Sequence, residues 1–561
     1  MDKPASPPRF ANPAAIVATA LVILFCLFSH LGAIGLIGPD EPRYAWIARA
    51  MAETGDWVTP RLYGQPWFEK PALYYWAAGL GFRVHLSPEW AARLPSALAA
   101  LAAALAVGWL GWKHYRSSNR LVETPAVFAP LLFSTSVAAI GFARAAAPDM
   151  LFAGTLTLAM AGASSVLRHA EALRRVDESP PEDPRREILP LVVFGASLGL
   201  AVLAKGPAAV LLAAGAIGLW AVATNRWRAA IRLAHPLALT AFCLVALPWY
   251  ILCALRNPDF LRVFILQHNF ERYLTPVFQH RQPVWFFLPI VLLGLLPWTP
   301  LLFPAAREGL RLWRAKSWGD SPGFFLACWA IFPFLFFSFS QSKLPGYILP
   351  AIPPLALLCA VGAIRAFRRS PAEAALLSAA IGLMWFALLL TALRVESRIP
   401  AANFHGQLPS EALRPFLYAA FGAAMVVVLA SAFAGYRKKL GTVISISAIC
   451  AVMMLEIASL WLLPVLDNYY SARPAAVMMH ADRRPDRIFT YHLKRSWEFG
   501  LAFYFERQIP EWSPADPDAA LVLTSRDGFR EIGSLRRING PIDEPYLGIL
   551  YAPVAPARRA P

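Results

Sequence analysis

The residues best suited to chemistry lie in one stretch between Gly38 and Tyr75, which reads GPDEPRYAWIARAMAETGDWVTPRLYGQPWFEKPALYY. It lies between apolar runs, yet it carries carboxylates and bases, namely Asp40, Glu41, Arg43, Glu69 and Lys70. Ionisable groups this close to hydrocarbon are costly, and they are usually retained because a site needs them. Carboxylates hold a metal or an attacking group, and cations grip a phosphate. We therefore predict an active site at a membrane surface for a substrate that is part lipid and part phosphate.

Two short helices are expected to position these residues. Asp40 precedes Pro42, and Tyr44, Ile47, Ala48 and Met51 follow at helical spacing, which predicts an amphipathic helix on the membrane surface. The alternative for Asp40 is a simple N-cap. A second helix is predicted to begin at Pro71, so that Lys70 lies at a helix N-terminus, where a bound phosphate is favoured. The alternative there is an ion pair between Glu69 and a nearby base.

Candidates elsewhere in the chain are weaker one by one. His268 and Arg272 lie in the loop 256–283, and His268 by itself is more typical of a surface group than of a metal ligand. Lys343 and Tyr347 lie in a tight turn, where the alternative is an interfacial anchor. Asp149 opens an apolar helix and could be only its cap. Their value lies in their predicted placement on one side of the membrane.

The composition identifies a polytopic α-helical membrane protein. The chain has 561 residues, of which 57% are hydrophobic and 16% charged, whereas soluble domains carry about 25% charged residues. The net charge of +17 is explained by basic cytoplasmic loops, with anionic membrane lipids as their partner, and not by nucleic acid, for which no motif is present. The six cysteines all lie in apolar runs and predict no disulfide or zinc motif.

About thirteen spanning helices are predicted, followed by a small C-terminal α+β domain. The spans are placed near 14–36, 90–111, 124–142, 149–167, 188–204, 207–224, 236–255, 284–304, 322–339, 345–364, 373–393, 412–434 and 441–463. Basic residues recur in every second connection, which predicts a cytoplasmic N-terminus, with the loops 37–89 and 256–283 and the C-terminus outside. The predicted domains are 1–463 in the membrane and 464–561 outside it, with strands near Arg487–Tyr491, Ala520–Leu523 and Leu547–Ala552.

Several of these segments together resemble a known family. They are GPDEPRYAWIARAMAETGDWVTPRLYGQPWFEKPALYYW, LAKGP, QHNFERY…HRQPVWFFLPI…GLLPW and SKLPGYILPAIPPLALL, spread over roughly the first 365 residues. The chain resembles the GT-C glycosyltransferases of the bacterial aminoarabinose transferase type (ArnT-like), relatives of the protein O-mannosyltransferases. The resemblance implies transfer of a sugar from an undecaprenyl (polyprenyl) phosphate carrier to lipid A or a related envelope acceptor, at the periplasmic face of the bacterial inner membrane.

The same resemblance implies roles for individual residues. Asp40 and Asp149 match catalytic acidic positions, and Glu41 is their companion in the Asp-Glu motif. Glu69 and His268 match ligands of a divalent metal, zinc in that family. The groups predicted to hold the carrier phosphate are Lys70, Arg272 and Tyr347, together with Arg43 and Lys343, which run against the charge trend of their side.

Two other functions stay open at this stage. Transfer to protein Ser or Thr, as in O-mannosylation, is the alternative within the same class. A lipid or sugar transporter is the alternative from another class, since many helices with buried charges also serve transport. Transport is disfavoured because the charges gather at one outer face and no internal repeat is evident. The sequence specifies neither the sugar nor the acceptor.

Overall fold

The computed structural model describes residues 13–115, 124–175, 185–271, 282–398, 410–481, 488–513, 521–524 and 550–552. The described part is dominated by α-helices. They are Pro13–Phe28, Asp40–Thr54, Leu73–Arg83, Pro88–Tyr115, Pro125–Ser134, Val137–Ala143, Pro148–Arg175, Arg185–Lys205, Ala208–Thr224, Trp227–Ile231, Pro236–Arg256, Phe287–Gly294, Leu302–Arg314, Pro322–Ser338, Ile352–Arg369, Pro371–Arg398, Ser410–Tyr436, Leu440–Ile457, Leu463–Tyr470, Arg473–Ala481 and Arg495–Tyr504. A π-helical segment covers Arg262–Glu271, and a 3-10 segment covers Pro345–Ala351.

The membrane-spanning character predicted from composition is confirmed. Among the described residues, seven helices are long and apolar enough to cross a bilayer, and two bent helix pairs raise this number to as many as nine. Three of the other four predicted spans correspond to the apolar helices Pro13–Phe28, Ala208–Thr224 and Pro322–Ser338, of 16 or 17 residues each. The fourth corresponds to the 27-residue helix Ser410–Tyr436. Each predicted span thus has a helical counterpart in the described part of the chain.

The predicted span 284–304 is not one continuous helix. Its two halves, Val284–Gly294 and Thr299–Arg314, are bent by 111°. Pro297 and Pro300 lie at the break, where they cannot donate helical hydrogen bonds. The helix Leu302–Arg314, called the amphipathic helix below, carries basic residues as well as exposed apolar ones. This composition and the steep bend are typical of a helix lying in a membrane interface.

Small residues bring the spanning helices into backbone contact. A Cβ atom at Gly195 would lie 2.0 Å from the carbonyl oxygen of Ala238, and one at Gly154 would lie 2.5 Å from that of Ala99. Close approach through glycine and alanine replaces the hydrophobic driving force that is missing between helices in lipid. The helix beginning at Pro148, which carries Asp149, is therefore fixed against the helix Pro88–Tyr115.

The helix predicted after Asp40 is confirmed as Asp40–Thr54, called the surface helix below, and its position on the membrane surface stays a prediction. Tyr44, Ile47, Ala48 and Met51 are all buried on its inner face. It ends at Gly55 with φ 72°, a left-handed conformation that glycine adopts without strain. A short antiparallel ribbon of Arg61–Leu62 with Gln65–Pro66 then leads to the helix Leu73–Arg83, which begins two residues after the predicted start.

The chain after the last spanning helix forms helices and a three-stranded sheet. Strand Ile488–Tyr491 pairs in parallel with Leu521–Thr524, which pairs antiparallel with Leu550–Ala552. These strands match the predicted ones to within a few residues. The helix Arg495–Tyr504, called the docking helix below, packs on the surface helix, and its Phe503 belongs to the main hydrophobic core. The division into domains at residue 464 stays a prediction.

Candidate active site

Asp40 stands in the first turn of the surface helix, but it is not the N-cap that the sequence left open. Pro39 occupies the N-cap position, and no side chain caps the helix. The Asp40 side chain is 57% exposed, and its Oδ1 accepts a hydrogen bond from Arg43 Nη2 at 2.5 Å. The carboxylate is therefore accessible to a ligand and is oriented by one cation.

Arg43 is the centre of the first group of charges. Its Nη2 lies 2.9 Å from Glu69 Oε2 as well as 2.5 Å from Asp40 Oδ1. The guanidinium is 5.3–5.7 Å from the centres of three aromatic rings, those of Tyr44, Trp67 and Phe499. Cation–π contacts of this kind hold a desolvated guanidinium in place. Phe499 belongs to the docking helix, so the C-terminal part of the chain contributes to the site.

Lys70 extends this group. Its Nζ lies 3.4 Å from Glu69 Oε1, and the two side chains are only 14% and 12% exposed. The ion pair that the sequence allowed for Glu69 is thus present, and it involves both Lys70 and Arg43. Because an ammonium group has three donors, Lys70 can bind Glu69 and still donate a hydrogen bond to a phosphate.

A second group of charges forms around Asp149. Lys205 Nζ donates to Asp149 Oδ1 at 2.5 Å and lies 4.9 Å from the centre of the Tyr347 ring. The turn before Tyr347 approaches Asp149 so closely that a Cβ atom at Gly346 would lie 2.4 Å from Asp149 Oδ1. Glycine is therefore required there. Three segments far apart in the chain meet at this point, as the sequence predicted for Asp149 and Tyr347.

Electrostatics link the two groups. Burial within the surrounding protein raises the pKa of Asp40, even though part of its carboxylate surface is accessible. Arg43 and Lys70 oppose this shift, and the negative charges of Glu69 and Asp149 add to it. Asp149 thus lies near enough for its charge to act on Asp40. We call Asp40, Arg43, Glu69, Lys70, Asp149 and Lys205 the outer cluster; it holds three carboxylates and three cations.

Glu41 has a structural position, which argues against the catalytic role predicted for it. Its carboxylate is buried, accepts from Arg93 Nη2 at 2.7 Å, and also accepts from the backbone N–H groups of Ala146 and Ile37. Arg93 in turn donates to the carbonyl groups of Leu31, Ile34 and Gly35. A buried carboxylate with this many donors has no accessible lone pair for a substrate. Glu41 joins the first loop to the turn before Asp149.

Lys343 is likewise held by the protein backbone. It is 6% exposed, and its Nζ donates to the carbonyl oxygens of Ser340 at 2.6 Å and Gln282 at 3.0 Å. These contacts tie the turn to the end of the preceding loop. Its predicted contact with a phosphate gains no support from these bonds and stays a prediction.

The predicted zinc site is not formed by the side chains that the structure describes. Arg272 lies outside the described residues, and His268 lies in the segment Arg262–Glu271 with its side chain undescribed. No group of three His, Cys, Asp or Glu side chains suited to a metal occurs in the described part of the chain. Glu69 is flanked by Arg43 and Lys70, whose charges oppose a divalent cation. The metal site stays a prediction.

Two residues were not predicted as site residues, one within the outer cluster and one beside it. Lys205 ends a spanning helix on the side where lysine is rare, and this signal in the sequence could have identified it. Tyr75 is buried, and its hydroxyl has no hydrogen-bond partner within the described structure. Burial raises the pKa of Tyr75 well above its ordinary value, and among the charged groups Glu69 has the largest effect, in the same direction. Tyr75 therefore offers a neutral donor beside the carboxylates.

Comparison with known proteins agrees with the resemblance seen in the motifs. Residues 13–264 match the family model described as dolichyl-phosphate-mannose-protein mannosyltransferase. The undecaprenyl phosphate-alpha-4-amino-4-deoxy-L-arabinose arabinosyl transferase of Edwardsiella ictaluri is 36% identical over 342 residues, which is 61% of this chain and 58% of that protein. The protein of the same name from Aeromonas salmonicida is 30% identical over 449 residues, 79% of this chain and 76% of that protein.

The fold agrees as well. The crystal structure of ArnT from Cupriavidus metallidurans bound to undecaprenyl phosphate superimposes with a TM-score of 0.76 at 23% identity, covering 98% of this chain and 100% of that one. This likeness shows the GT-C fold. The sequence match spans less than two thirds of the first two curated relatives, 58% and 59% of their lengths, but 76% of the Aeromonas protein. This chain therefore belongs to the family of the undecaprenyl phosphate-alpha-4-amino-4-deoxy-L-arabinose arabinosyl transferases.

Proposed function

We propose that this protein transfers an aminoarabinose-like sugar from an undecaprenyl phosphate carrier to lipid A or a related envelope acceptor. The observation that carries the proposal is the outer cluster, in which Asp40 and Asp149 meet Arg43, Lys70 and Lys205 at one end of a membrane-spanning bundle. Membership of the arabinosyl transferase family supports the same reaction. The reaction needs a carboxylate, cations for a leaving phosphate and access from the bilayer.

The cations act on the leaving group. When the anomeric C–O bond breaks, its electron pair remains on the carrier phosphate, where negative charge increases. Lys70 and Lys205 stabilise that charge more in the transition state than in the bound donor, because the charge is larger there. Tyr347 lies against Lys205, and its ring helps to hold the ammonium group in place. Arg272 is expected to join them from the neighbouring loop.

The carboxylates act on the sugar and the acceptor. If the acceptor is a hydroxyl group, Asp40 accepts its proton as the new C–O bond forms. If the acceptor is a phosphate, it is already anionic, and Asp40 instead stabilises the oxocarbenium-like sugar. A 4-amino-4-deoxy sugar also carries an ammonium group, for which the three carboxylates of the outer cluster are natural partners. Direct displacement predicts inversion at the anomeric carbon.

The outer cluster is expected to face the periplasm of a bacterial inner membrane, with the N-terminus in the cytoplasm. The recurrence of basic residues in every second connection supports this orientation. In a cysteine-free background, an impermeant thiol reagent should label Glu53→Cys in intact cells. Arg437→Cys should be labelled only after permeabilisation. The reverse pattern would place the cluster in the cytoplasm and end the proposal.

Sugar transfer in membranes tests the reaction itself. Asp40→Asn and Lys70→Ala should each lower transfer from an undecaprenyl phosphate-linked donor by about hundredfold or more, the usual effect of losing an acid–base group or a donor that stabilises charge in the transition state. Glu53→Gln, an exposed change on the same helix, is the control. Full activity in both site variants would remove the assignment.

Protein O-glycosylation is the second candidate, because residues 13–264 match a protein mannosyltransferase model. Mass spectrometry of lipid A and of periplasmic proteins, with and without the gene, separates the two acceptors. A modified Ser or Thr with unmodified lipid A would favour this candidate.

A further inference from the structure

A charged cavity lies at the opposite end of the bundle from the outer cluster. The helix Ile352–Arg369 begins just after Tyr347 and spans 18 residues, or about 27 Å. Between its far end and the amphipathic helix lies an open cavity of about 480 Å³. Five arginines line it, namely Arg307, Arg311, Arg314, Arg365 and Arg369. We call this the arginine cavity.

The charge of the arginine cavity is not balanced by its own carboxylates. Glu308 pairs with Arg311 and Arg365, and Glu373 pairs with Arg307. Glu308 and Glu373 are the two carboxylates of its lining, so a net charge of +3 remains. The other two arginines, 314 and 369, are exposed and form no ion pair with any residue described in the structure. The cavity therefore presents cationic donors to a ligand.

The two helices that form this cavity are held firmly together. A Cβ atom at Gly362 would lie 2.5 Å from the backbone nitrogen of Ala305, so the helices are in backbone contact there. The Arg365–Glu308 pair joins them one turn further on, and the Arg307–Glu373 pair ties in the next helix. The guanidinium groups thus have a fixed frame, unlike basic residues scattered along a loop.

The surroundings of the cavity indicate a lipid. The amphipathic helix exposes Phe303, Leu310 and Trp313, with 66%, 45% and 63% of their surfaces accessible. Leu310 also lines the cavity. A lipid could bind here with both of its parts. Its phosphate would lie among the guanidinium groups, and an acyl chain would lie along the apolar face of the helix.

We propose that the arginine cavity binds the phosphate-bearing headgroup of an anionic membrane lipid, such as a phosphatidylglycerol. Basic pockets between membrane helices bind anionic headgroups in this manner. The lipid would fasten the amphipathic helix to its leaflet at the end of the protein away from the outer cluster. This site is separate from the donor site, and it does not depend on the proposed reaction.

Native mass spectrometry of the intact protein from nanodiscs tests the proposal. The discs contain equal parts of phosphatidylcholine and phosphatidylglycerol, and the retained lipids are counted. Arg314→Gln with Arg369→Gln should lower the affinity for phosphatidylglycerol by about thirtyfold, which corresponds to about 1 kcal/mol for each arginine. Arg228→Gln with Arg437→Gln is the matched control, since both are exposed, basic and outside the cavity. Equal losses in both double variants would overturn the proposal.

A second variant is expected to increase phosphatidylglycerol retention instead of lowering it. Glu308→Gln releases Arg311 and Arg365 from their carboxylate, so it should increase phosphatidylglycerol retention at unchanged phosphatidylcholine retention. A decrease would overturn the proposal, because a purely structural role for Glu308 predicts lower retention. Inorganic phosphate, compared with chloride at equal ionic strength, should not displace the lipid. Displacement by phosphate alone would identify a free phosphate as the ligand and would also overturn the proposal.

Discussion

The two ends of the molecule use charge in different ways. At the outer end, three carboxylates and three cations form two groups of ion pairs, and most of their side chains are largely buried. At the other end, five arginines meet two glutamates at an open surface. The outer cluster is balanced before any ligand arrives, whereas the arginine cavity is strongly cationic.

This difference follows from what each end is proposed to bind. A site that binds a phosphate and releases it in each turnover gains from carboxylates that compete for its cations, because the product is then not held too tightly. A site for a lipid that stays bound does not have to release its ligand in each turnover, so it does not need competing carboxylates. Preorganised charges that already have partners also require little reorganisation during the reaction. Balanced charge thus suits turnover, and excess charge suits lasting attachment.

The largest effect is expected at the buried Glu41–Arg93 pair, which supports the outer cluster. Arg93→Met removes the charged partner of the buried Glu41 carboxylate and the donor to three backbone carbonyl groups. Breaking such a pair should cost about 3–5 kcal/mol. The apparent Tm of the detergent-solubilised protein should fall clearly, whereas Arg83→Met, an exposed arginine of the outer loop, should leave it unchanged. An unaltered Tm for Arg93→Met would show that the pair does not hold this end together.

The next effect concerns the Asp149–Lys205 pair. Lys205→Met leaves the Asp149 carboxylate, whose side chain is 21% exposed, without its 2.5 Å partner. The cost should be about 1–3 kcal/mol. The double variant with Asp149→Asn should recover part of the loss in Tm but none of the sugar transfer. Additive losses in Tm would mean that the two side chains are not coupled.

A smaller effect is expected in the pH dependence of transfer. Because burial raises the pKa of Asp40 above its ordinary 3.8, the base is protonated and lost at a higher pH than usual as the pH falls. Glu69→Gln removes a negative charge that raises this pKa, so the loss should move to lower pH. Lys70→Ala removes a positive charge that lowers it, so the loss should move to higher pH. Profiles of kcat/KM against pH for the three proteins measure both shifts, and shifts of the same sign would contradict the balanced cluster.

The smallest effect is expected at the other end. Arg311→Gln removes a side chain that is 62% exposed and paired with Glu308 within one helix. Exposed pairs of this kind contribute about 0.2–1 kcal/mol. The apparent Tm and the rate of transfer should both stay close to those of the unchanged protein. A fall in Tm as large as that of Arg93→Met would mean that the two ends are equally dependent on their ion pairs.

Much of the architecture is determined by the sequence alone. Apolar runs of about 20 residues specify where helices cross the membrane, because burying a backbone in lipid requires internal hydrogen bonds. The spacing of Tyr44, Ile47, Ala48 and Met51 predicted the surface helix, and strand-like stretches predicted the three C-terminal strands. The gathering of Asp40, Lys70, Asp149 and Tyr347 at one end followed from counting spans. These features depend on local composition and on whether an even or odd number of membrane spans separates two segments.

The partners of the individual charges were decided by the tertiary structure. Lys205 and Asp149 lie 56 residues apart, Arg93 and Glu41 lie 52 apart, and Phe499 reaches Arg43 from the far end of the chain. From the sequence, Glu41 was predicted to be catalytic and Lys343 to contact a phosphate, whereas in the structure both form hydrogen bonds within the protein. An ion pair depends on distances of a few ångströms. Hydropathy and periodicity determine which side of the membrane a residue reaches, and only the packing of the helices sets those distances.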